Sequence, residues 1–345
     1  MTSPFANDVI EVQDSARLPA HPLVSVLMTT YNHGPYIAEA IEGVILQVTD
    51  FPIELVIGED CSSDDTRAIV LQYQRDYPHL VRVVISDRNV GVAENIRRIY
   101  ERSKGKYLAF CEGDDFWCQE RKLQDQVEIL ENQPRVTAVF SDFAVAALKR
   151  GRWKVDMENT AFRALGDSDL RGDVFSQCLD GRLRTLTAVY RREVMAAIYD
   201  KRLPRNEYPF GDNFLRAQAA VMGDFDRVPG VRAVYRCSPN SATRSGGHSS
   251  VKFLQASRRF NEHFPDYFAE RTGGPSFDFA EHDVLICRAA AAARDLGAFQ
   301  EAYARLRAVR TPPVSLRAAN LLMRWPTVLG ALLALRSRLR SLLNP

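Results

Sequence analysis

Several signatures that would fix a chemistry outright are missing from these 345 residues. There is no G-x-x-x-x-G-K-[ST] loop to cradle phosphates. No G-x-G-x-x-G follows the first apolar run, which disfavours a dinucleotide fold. The six cysteines, at 61, 111, 118, 178, 237 and 287, include no C-x-x-C pair. A zinc site or a disulfide framework is therefore not expected, and a reducing, cytoplasmic compartment fits. No apolar run reaches the roughly 20 residues needed to span a bilayer. The apolar run near the end, Val328 to Leu335, is too short for that. Residues 1–20 are polar, carry acids early and do not have the pattern of a signal peptide. Net charge is +2, so nothing global points to nucleic acid. Acidic residues stop at Glu301, while Arg305, Arg307, Arg310, Arg317, Arg324, Arg336, Arg338 and Arg340 follow it. That asymmetry marks the carboxyl-terminal stretch as different from the rest.

What is present is a regular alternation. Leu23–Thr29, Ile53–Gly58, Val81–Ser86, Tyr107–Cys111 and Val136–Phe140 are short apolar runs. Such runs suit strands covered on both faces, as in parallel sheets. Between them the apolar residues recur at helical spacing. Ile37, Ala40, Ile41, Val44 and Ile45 form one such set, with Pro35 placed to open the helix. Ser62 and Asp65 form an S-x-x-D pattern that can cap the next helix. The rhythm predicts an α/β fold with a doubly wound, mostly parallel sheet flanked by helices. Further on, 184–190 and 231–236 read as strands, 253–264 as a helix, and 289–306 as a helical pair broken near Gly297.

In such sheets ligands bind beyond the carboxyl ends of the strands. Polar and acidic clusters follow three strands directly: Thr30-Tyr31-Asn32, Glu59 to Asp65, and Glu112-Gly113-Asp114-Asp115. All three should meet on one rim. Carboxylates at a strand end can hold Mg²⁺ or Mn²⁺, which prefer oxygen ligands. Read alone, the same acids also cap helices.

Four segments settle the context. Ser25–Tyr36 (SVLMTTYNHGPY), Asp60–Thr66 (DCSSDDT), Asn89–Asn95 (NVGVAEN) and Phe110–Trp117 (FCEGDDFW) occur in the order and at roughly the spacing of family-two glycosyltransferases of the GT-A fold. The chain resembles that family closely over about residues 22–145 and more loosely to about 245. The resemblance implies that Thr30 and Tyr31 lie beside the nucleobase. It implies that Asp60 accepts a hydrogen bond from the base, commonly uracil, and that Asn89 and Asn95 line the nucleotide pocket. Glu112 and Asp114 match the metal-binding DxD acids, with Glu in the first place. Asp114 is then the cation ligand and Asp115 supports it or faces the acceptor. Asp212, in Phe210-Gly211-Asp212-Asn213, matches the catalytic base, although many relatives have an acidic pair there. Thr185 and Thr187 match an acceptor channel. Ser238 stands where many relatives have histidine, which leaves Arg236, Arg244 or His248 to hold the diphosphate.

The resulting expectation is a flexible tail over 1–20 and a glycosyltransferase domain over 21–250. A nucleotide half covers about 21–145 and an acceptor half about 146–250. A helical extension with a basic amphipathic end covers 251–345. The resemblance implies metal-dependent, inverting transfer of a sugar from a UDP-linked donor to a glycan or lipid-linked acceptor hydroxyl, in bacterial surface polysaccharide or glycoconjugate synthesis. Residues 313–345 read either as a peripheral contact with an anionic membrane, on its inner face, or as a helix packed on the domain. The rival classes are a non-catalytic carbohydrate-binding scaffold on the same fold and a nucleotidyltransferase.

Overall fold

The computed structural model describes residues 9–149, 151–157, 171–204, 207–208, 211–237 and 247–322, with the backbone alone at 247, 248 and 322. The chain divides into two compact units. One comprises Met1–Asn206, Phe210–Ser238 and Phe268–Pro275; the other comprises Glu207–Pro209, Pro239–Tyr267 and Ser276–Pro345.

The first unit is built on one sheet. Its strands are β1 (Val9–Val12), β2 (Val24–Thr30), β3 (Ile53–Glu59), β4 (Val81–Ser86), β5 (Tyr107–Phe110), β6 (Phe116–Trp117), β7 (Val136–Lys149), β8 (Arg152–Asp156), β9 (Val189–Arg191) and β10 (Asp224–Cys237). Their order is β1-β4-β3-β2-β5-β9-β7-β10-β6, with β8 beside β7. Strands β4, β3, β2 and β5 are mutually parallel, and so are β7 and β10. The short β9 runs antiparallel to both β5 and β7, so β5, β7 and β10 point the same way. The predicted apolar runs are the central strands. Val24, Val26, Leu27 and Met28 of β2 and Leu55, Val56 and Ile57 of β3 are all buried. Burying a side chain of this size contributes about 1.5–3 kcal/mol.

The crossovers are α1 (Ile37–Ile45), α2 (Thr66–Asp76), α3 (Val92–Arg102), α4 (Lys122–Asn132), α5 (Arg192–Asp200) and α6 (Asp212–Met222). Helix α1 buries Ile37, Ala40, Ile41 and Val44, the set its periodicity marked. Gly43 lets α1 approach β6: a Cβ there would lie 2.8 Å from the Trp117 carbonyl oxygen. Deeper in the sheet, the Glu54 carboxylate takes the Ser25 hydroxyl at 2.6 Å, the Lys104 amide at 2.6 Å and Arg82 at 3.4 Å. A buried acid is tolerable there because one oxygen accepts both hydrogen bonds and the other faces the Arg82 charge.

The structure departs from the sequence reading in several places. Residues 9–12, read as part of a loose tail, form β1 and pair with β4. The pairing satisfies backbone groups of an otherwise open edge, a gain that no side-chain pattern announces. Residues 184–190 are not one strand. Thr185–Thr187 is a 3₁₀ turn and only Val189–Arg191 joins the sheet. The Ser62/Asp65 cap does not form. Asp64 takes the Thr66 amide at 3.0 Å, and Ser62 is engaged by the Asn32 amide at 3.0 Å.

The second unit contains α7 (Gly247–Tyr267), α8 (Phe279–Ala293), α9 (Leu296–Val309) and α10 (Val314–Leu322). The boundary read at residue 250 therefore falls inside α7, which begins at Gly247 within a stretch whose glycines and serines read as loop. The break expected at Gly297 comes earlier. Arg294 turns left-handed with φ 58°, and Asp295 caps α9 by accepting the Ala298 amide at 3.0 Å. Val284, Ile286, Cys287, Phe299, Ala302, Leu306 and Leu316 form its core. The buried Asp283 carboxylate joins three helices by pairing with Arg258 at 3.1 Å and Arg305 at 3.0 Å. Among the described residues no helix is long and apolar enough to cross a membrane. Of the stretch 313–345, residues 323–345 lie outside the described residues.

Candidate active site

The loops leaving β2 and β3 interlock. The Ser63 amide donates to Asn32 Oδ1 at 2.8 Å, His33 N to the Thr66 hydroxyl at 2.8 Å, and Gly34 N to Asp64 at 2.9 Å. Burial works against a charged Asp64, but the bonds from Thr66 and Gly34 prevail and hold its carboxyl below the usual range. Both loops turn through left-handed residues, Asn32 at φ 54° and Cys61 at φ 61°. Asparagine tolerates that conformation; for cysteine it is a strain that the surroundings must impose. The strained residue follows Asp60 directly.

Asp60 is buried at this rim. Its carboxylate takes the Val90 amide at 2.8 Å and the Gly91 amide at 2.9 Å, so it joins β3 to the loop before α3. Burial pushes its carboxyl above the ordinary range, and those two bonds only partly offset the rise. Tyr31, 44 % exposed, stands on the neighbouring strand end and offers a free ring face. Thr30 is buried, and its hydroxyl oxygen has no hydrogen-bond partner among the described residues. Asn89 is exposed and its side chain braces the Gly91 amide at 3.1 Å. Asn95 is placed differently from the sequence reading. It is buried and donates to the Gly58 carbonyl at 2.8 Å, so it ties α3 to β3 and lines no open pocket.

The acids after β5 occupy the same rim. Strand β2 lies between β3 and β5, which sets the Asp60 and Asp114 strand ends about 10 Å apart. Gly113 N bonds to Thr29 O at 3.0 Å and holds the acidic loop against β2. A Cβ on Gly113 would lie 2.8 Å from both His33 Nδ1 and Thr30 Oγ1. The loop can therefore sit this close to β2 only with glycine between its two acids. Burial lowers the His33 pKa, and the Asp114 and Asp64 charges only partly restore it. His33 is a neighbour of Asp114 that no sequence pattern singled out.

Glu112 is the electrostatic hub. Burial first, then the Asp114 and Asp212 charges, push its carboxyl up to about 7, while Arg184 works in the opposite sense. Asp212, the first residue of α6, therefore comes to the acids after β5 although nearly a hundred residues separate them in the sequence. Buried Arg216 pairs with Asp212 at 3.2 Å, which fixes the carboxylate's direction. Asp115 is buried and takes the Arg236 amide at 2.7 Å; burial and the neighbouring Asp114 and Glu112 raise its carboxyl well above the usual value.

These shifts give a pH prediction. A carboxyl raised in the fold favours the folded state at low pH, and that contribution is lost as pH rises through about 7 for Glu112. In metal-free buffer, Glu112→Gln should therefore barely change the melting temperature near pH 4, raise it increasingly up to about pH 7, and hold that gain above it. A difference that is flat across this range would contradict the crowding.

Arg236 is not available to a diphosphate in the way the sequence suggested. It is 5 % exposed. Its guanidinium donates to the Asp114 carbonyl at 3.0 Å and to Glu39, and lies over Phe116 at 4.6 Å, Tyr36 at 5.3 Å and Trp153 at 5.9 Å. It is a strut that positions the backbone of Asp114. Arg236→Met should cost about 2 kcal/mol, the size of a lost charge-assisted hydrogen bond with its ring contacts, measured by urea unfolding. Thr185 is partly exposed, whereas Thr187 is buried and donates its hydroxyl to Arg184 O at 2.7 Å, so it lines no channel. Arg244 lies outside the described residues, and of His248 only its backbone in α7 is described.

The donor set suits a hard cation held openly. Three carboxylates stand on one short loop and the Asp212 charge bears on Glu112 among them, and such repulsion is relieved by a divalent ion. Among the described residues no three His, Cys, Asp or Glu side chains form a ready cage, so most ligands would come from substrate and water. A cavity of about 410 Å³ lined by Gln133, Arg135, Arg171, Asp224 and Asp226 lies at the opposite, amino-terminal ends of β7 and β10, away from these acids.

Comparison with known proteins places this arrangement. Residues 25–194 match the family model described as glycosyl transferase family 2. An uncharacterized protein of Mycobacterium tuberculosis (strain H37Rv) is 34 % identical over 234 residues, which is 67 % of this chain and 64 % of the relative. The chain thus spans just under two thirds of that relative's length. TuaG of Bacillus subtilis, provisionally named a teichuronic acid biosynthesis glycosyltransferase, is 37 % identical over 109 residues, 32 % of this chain and 42 % of its own. Among solved structures, Staphylococcus aureus TarS (residues 1–349) in complex with UDP-GlcNAc gives a TM-score of 0.52 at 16 % identity, covering 87 % of this chain and 79 % of TarS. The mannosyltransferase PcManGT from Pyrobaculum calidifontis, in complex with GDP-Man and Mn²⁺, gives 0.52 at 20 % identity over 90 % of this chain and 86 % of its own. At such identities these two speak for the fold alone. Residues 25–194 therefore form a glycosyl transferase family 2 region, and the sheet with its flanking helices has the GT-A fold.

Proposed function

We propose that the chain transfers a sugar from a nucleotide-diphosphate sugar, UDP-linked by preference, to an acceptor hydroxyl with inversion, in the synthesis of a bacterial surface polysaccharide or glycoconjugate. The observation that supports this reading is that the Asp212 charge, at the start of α6, bears on Glu112 beyond β5, as the Asp114 charge does. It puts an oriented carboxylate beside a crowded acidic rim, on the same sheet edge as Asp60.

In this reading Tyr31 stacks on the base and Asp60 accepts a base N–H. Its two oxygens already hold Val90 and Gly91, so the carboxylate direction is fixed before the nucleotide arrives. Asp114, with Glu112 beside it, would hold Mg²⁺ or Mn²⁺. When bound, that ion supplies charge neutralisation to the leaving diphosphate. Arg236 keeps Asp114 in register through its carbonyl. Asp212 takes the acceptor proton as the hydroxyl attacks the anomeric carbon, and Arg216 holds it in that direction. Base and leaving group stand on opposite faces of the sugar, which inverts the anomeric centre.

Calorimetry with UDP, with and without Mn²⁺, followed by a panel of nucleotide-sugars assayed for transfer or slow hydrolysis, tests this reading. Binding of UDP that Mn²⁺ strengthens is expected; no binding in either condition would remove the enzymatic reading and favour a scaffold. We place residues 313–345 at an anionic membrane surface. Val314 at 70 % and Leu321 at 64 % exposure lie on one side of α10 with Arg317, and no acid follows Glu301. Flotation with anionic vesicles, lost on deletion of 313–345, is the expected result, and equal flotation of both proteins would refute it.

A further inference from the structure

Arg184 is a cation at the site that the mechanism above leaves unused. It precedes the 3₁₀ turn Thr185–Thr187, which packs on β5, β7 and β10. Its guanidinium lies over the Tyr235 ring at 5.0 Å and the Phe143 ring at 5.9 Å. It is close enough to Glu112 to favour that carboxyl's charged form. It nonetheless forms no ion pair, and its Nε is buried without a hydrogen-bond partner among the described residues. The arginines around it are engaged: Arg216 with Asp212, and Arg236 with Glu39 and Asp114. A guanidinium stacked on aromatic rings keeps its planar fork oriented, the arrangement that receives a carboxylate or phosphate in two parallel bonds.

Its position along the rim says which substrate it faces. The nucleotide wall, Tyr31 with Asp60 and the Val90–Gly91 amides, is built on β2, β3 and β4. The DxD-type acids follow β5, next in the sheet. Arg184 rests on β7 and β10, farther from that wall in the same order, where the acidic loop also reaches β10 through Asp115 and the Arg236 amide. Base, diphosphate and Arg184 are thus laid out in sequence, and the last place belongs to the acceptor.

We propose that Arg184 reads an anionic group on the acceptor, a carboxylate or a phosphate, and so selects an acidic acceptor over its neutral parent. The proposal rests on the glycosyltransferase reading and deepens it. The group takes no part in proton transfer; it places the acceptor so that its hydroxyl meets Asp212.

The test uses the full chain with the donor site saturated by UDP and Mn²⁺. Methyl β-glucuronide, glycerol 3-phosphate and the neutral methyl β-glucoside are titrated by calorimetry or by protein chemical shifts. The wild type should bind the glucuronide or the phosphate about 10- to 100-fold more tightly than the glucoside, the size of one charge-assisted hydrogen bond. Which of the two wins names the anion. Arg184→Met should lose that preference while its UDP affinity stays unchanged, and Arg184→Lys should keep part of it. Equal binding of all three probes by the wild type overturns the proposal. So does an unchanged preference in Arg184→Met. So does displacement of the anionic probe by UDP, which would assign the guanidinium to the donor diphosphate. Failure of UDP itself to bind the wild type counts against the glycosyltransferase reading, separately from the probe titrations.

Discussion

Asp212→Asn is expected to lower turnover about 10²- to 10⁴-fold while leaving UDP-sugar binding intact, the loss that follows removal of a positioned general base. The amide preserves the size of the side chain and its place at the start of α6. It can still bond to Arg216, now without the ion pair at 3.2 Å. It cannot take a proton. A helix that merely needed a polar first residue would be indifferent to the change, because the N-cap of α6 is Gly211 and not Asp212. The decisive comparison is kcat against the UDP-sugar dissociation constant for wild type and variant. A fall in both together would mean that Asp212 shapes the donor pocket. No fall in kcat would take it out of the base role.

The second large effect is at Asp114. Asp114→Ala should abolish the gain in UDP affinity that Mn²⁺ or Mg²⁺ gives the wild type, a loss on the order of 10²-fold if the ion supplies several kcal/mol to the diphosphate. Affinity measured in a chelator should not fall in the variant, since the substitution removes a negative charge that bears on Glu112, Asp115 and His33 and would repel a metal-free diphosphate. Arg236 contacts its carbonyl rather than its side chain, so the backbone strut survives the substitution. Chelation of the wild type should reproduce the variant. If the metal-dependent gain persists in the variant, Asp114 is not the ligand and Glu112 must be tested in its place.

The parts of this molecule that could be read from its sequence are those in which each residue carries its own signal. The apolar runs of β2, β3 and β4 and the buried face of α1 announced themselves by hydrophobicity and period. The acidic loops after β3 and β5 stood out because charge directly follows a buried strand. What stayed hidden depends on partners distant in the chain. Strand β1 exists because β4 has an edge to offer. The 3₁₀ turn at Thr185–Thr187 replaces a strand because it must pack on three strands at once. Arg236 looked like a ligand-binding cation until Glu39, Phe116, Tyr36 and Trp153 closed around it, and Arg184 looked like a strand residue until its Nε proved buried without a hydrogen-bond partner among the described residues. Charge type was legible in each case. Whether a charge was already neutralised was not, because that is a property of the assembled rim.

Strand β1 has one more consequence. It covers β4 along Val9–Val12, and Glu11 anchors it to Arg82 at 3.2 Å and to Arg102 at 3.3 Å. A shortened protein beginning after residue 12 would leave the outer ladder of β4 bare and two arginines without their shared acid. Such a ladder accepts a strand from any molecule that supplies one. Trimming the amino terminus would thus convert a covered edge into a template for self-association, on the side of the sheet away from β5.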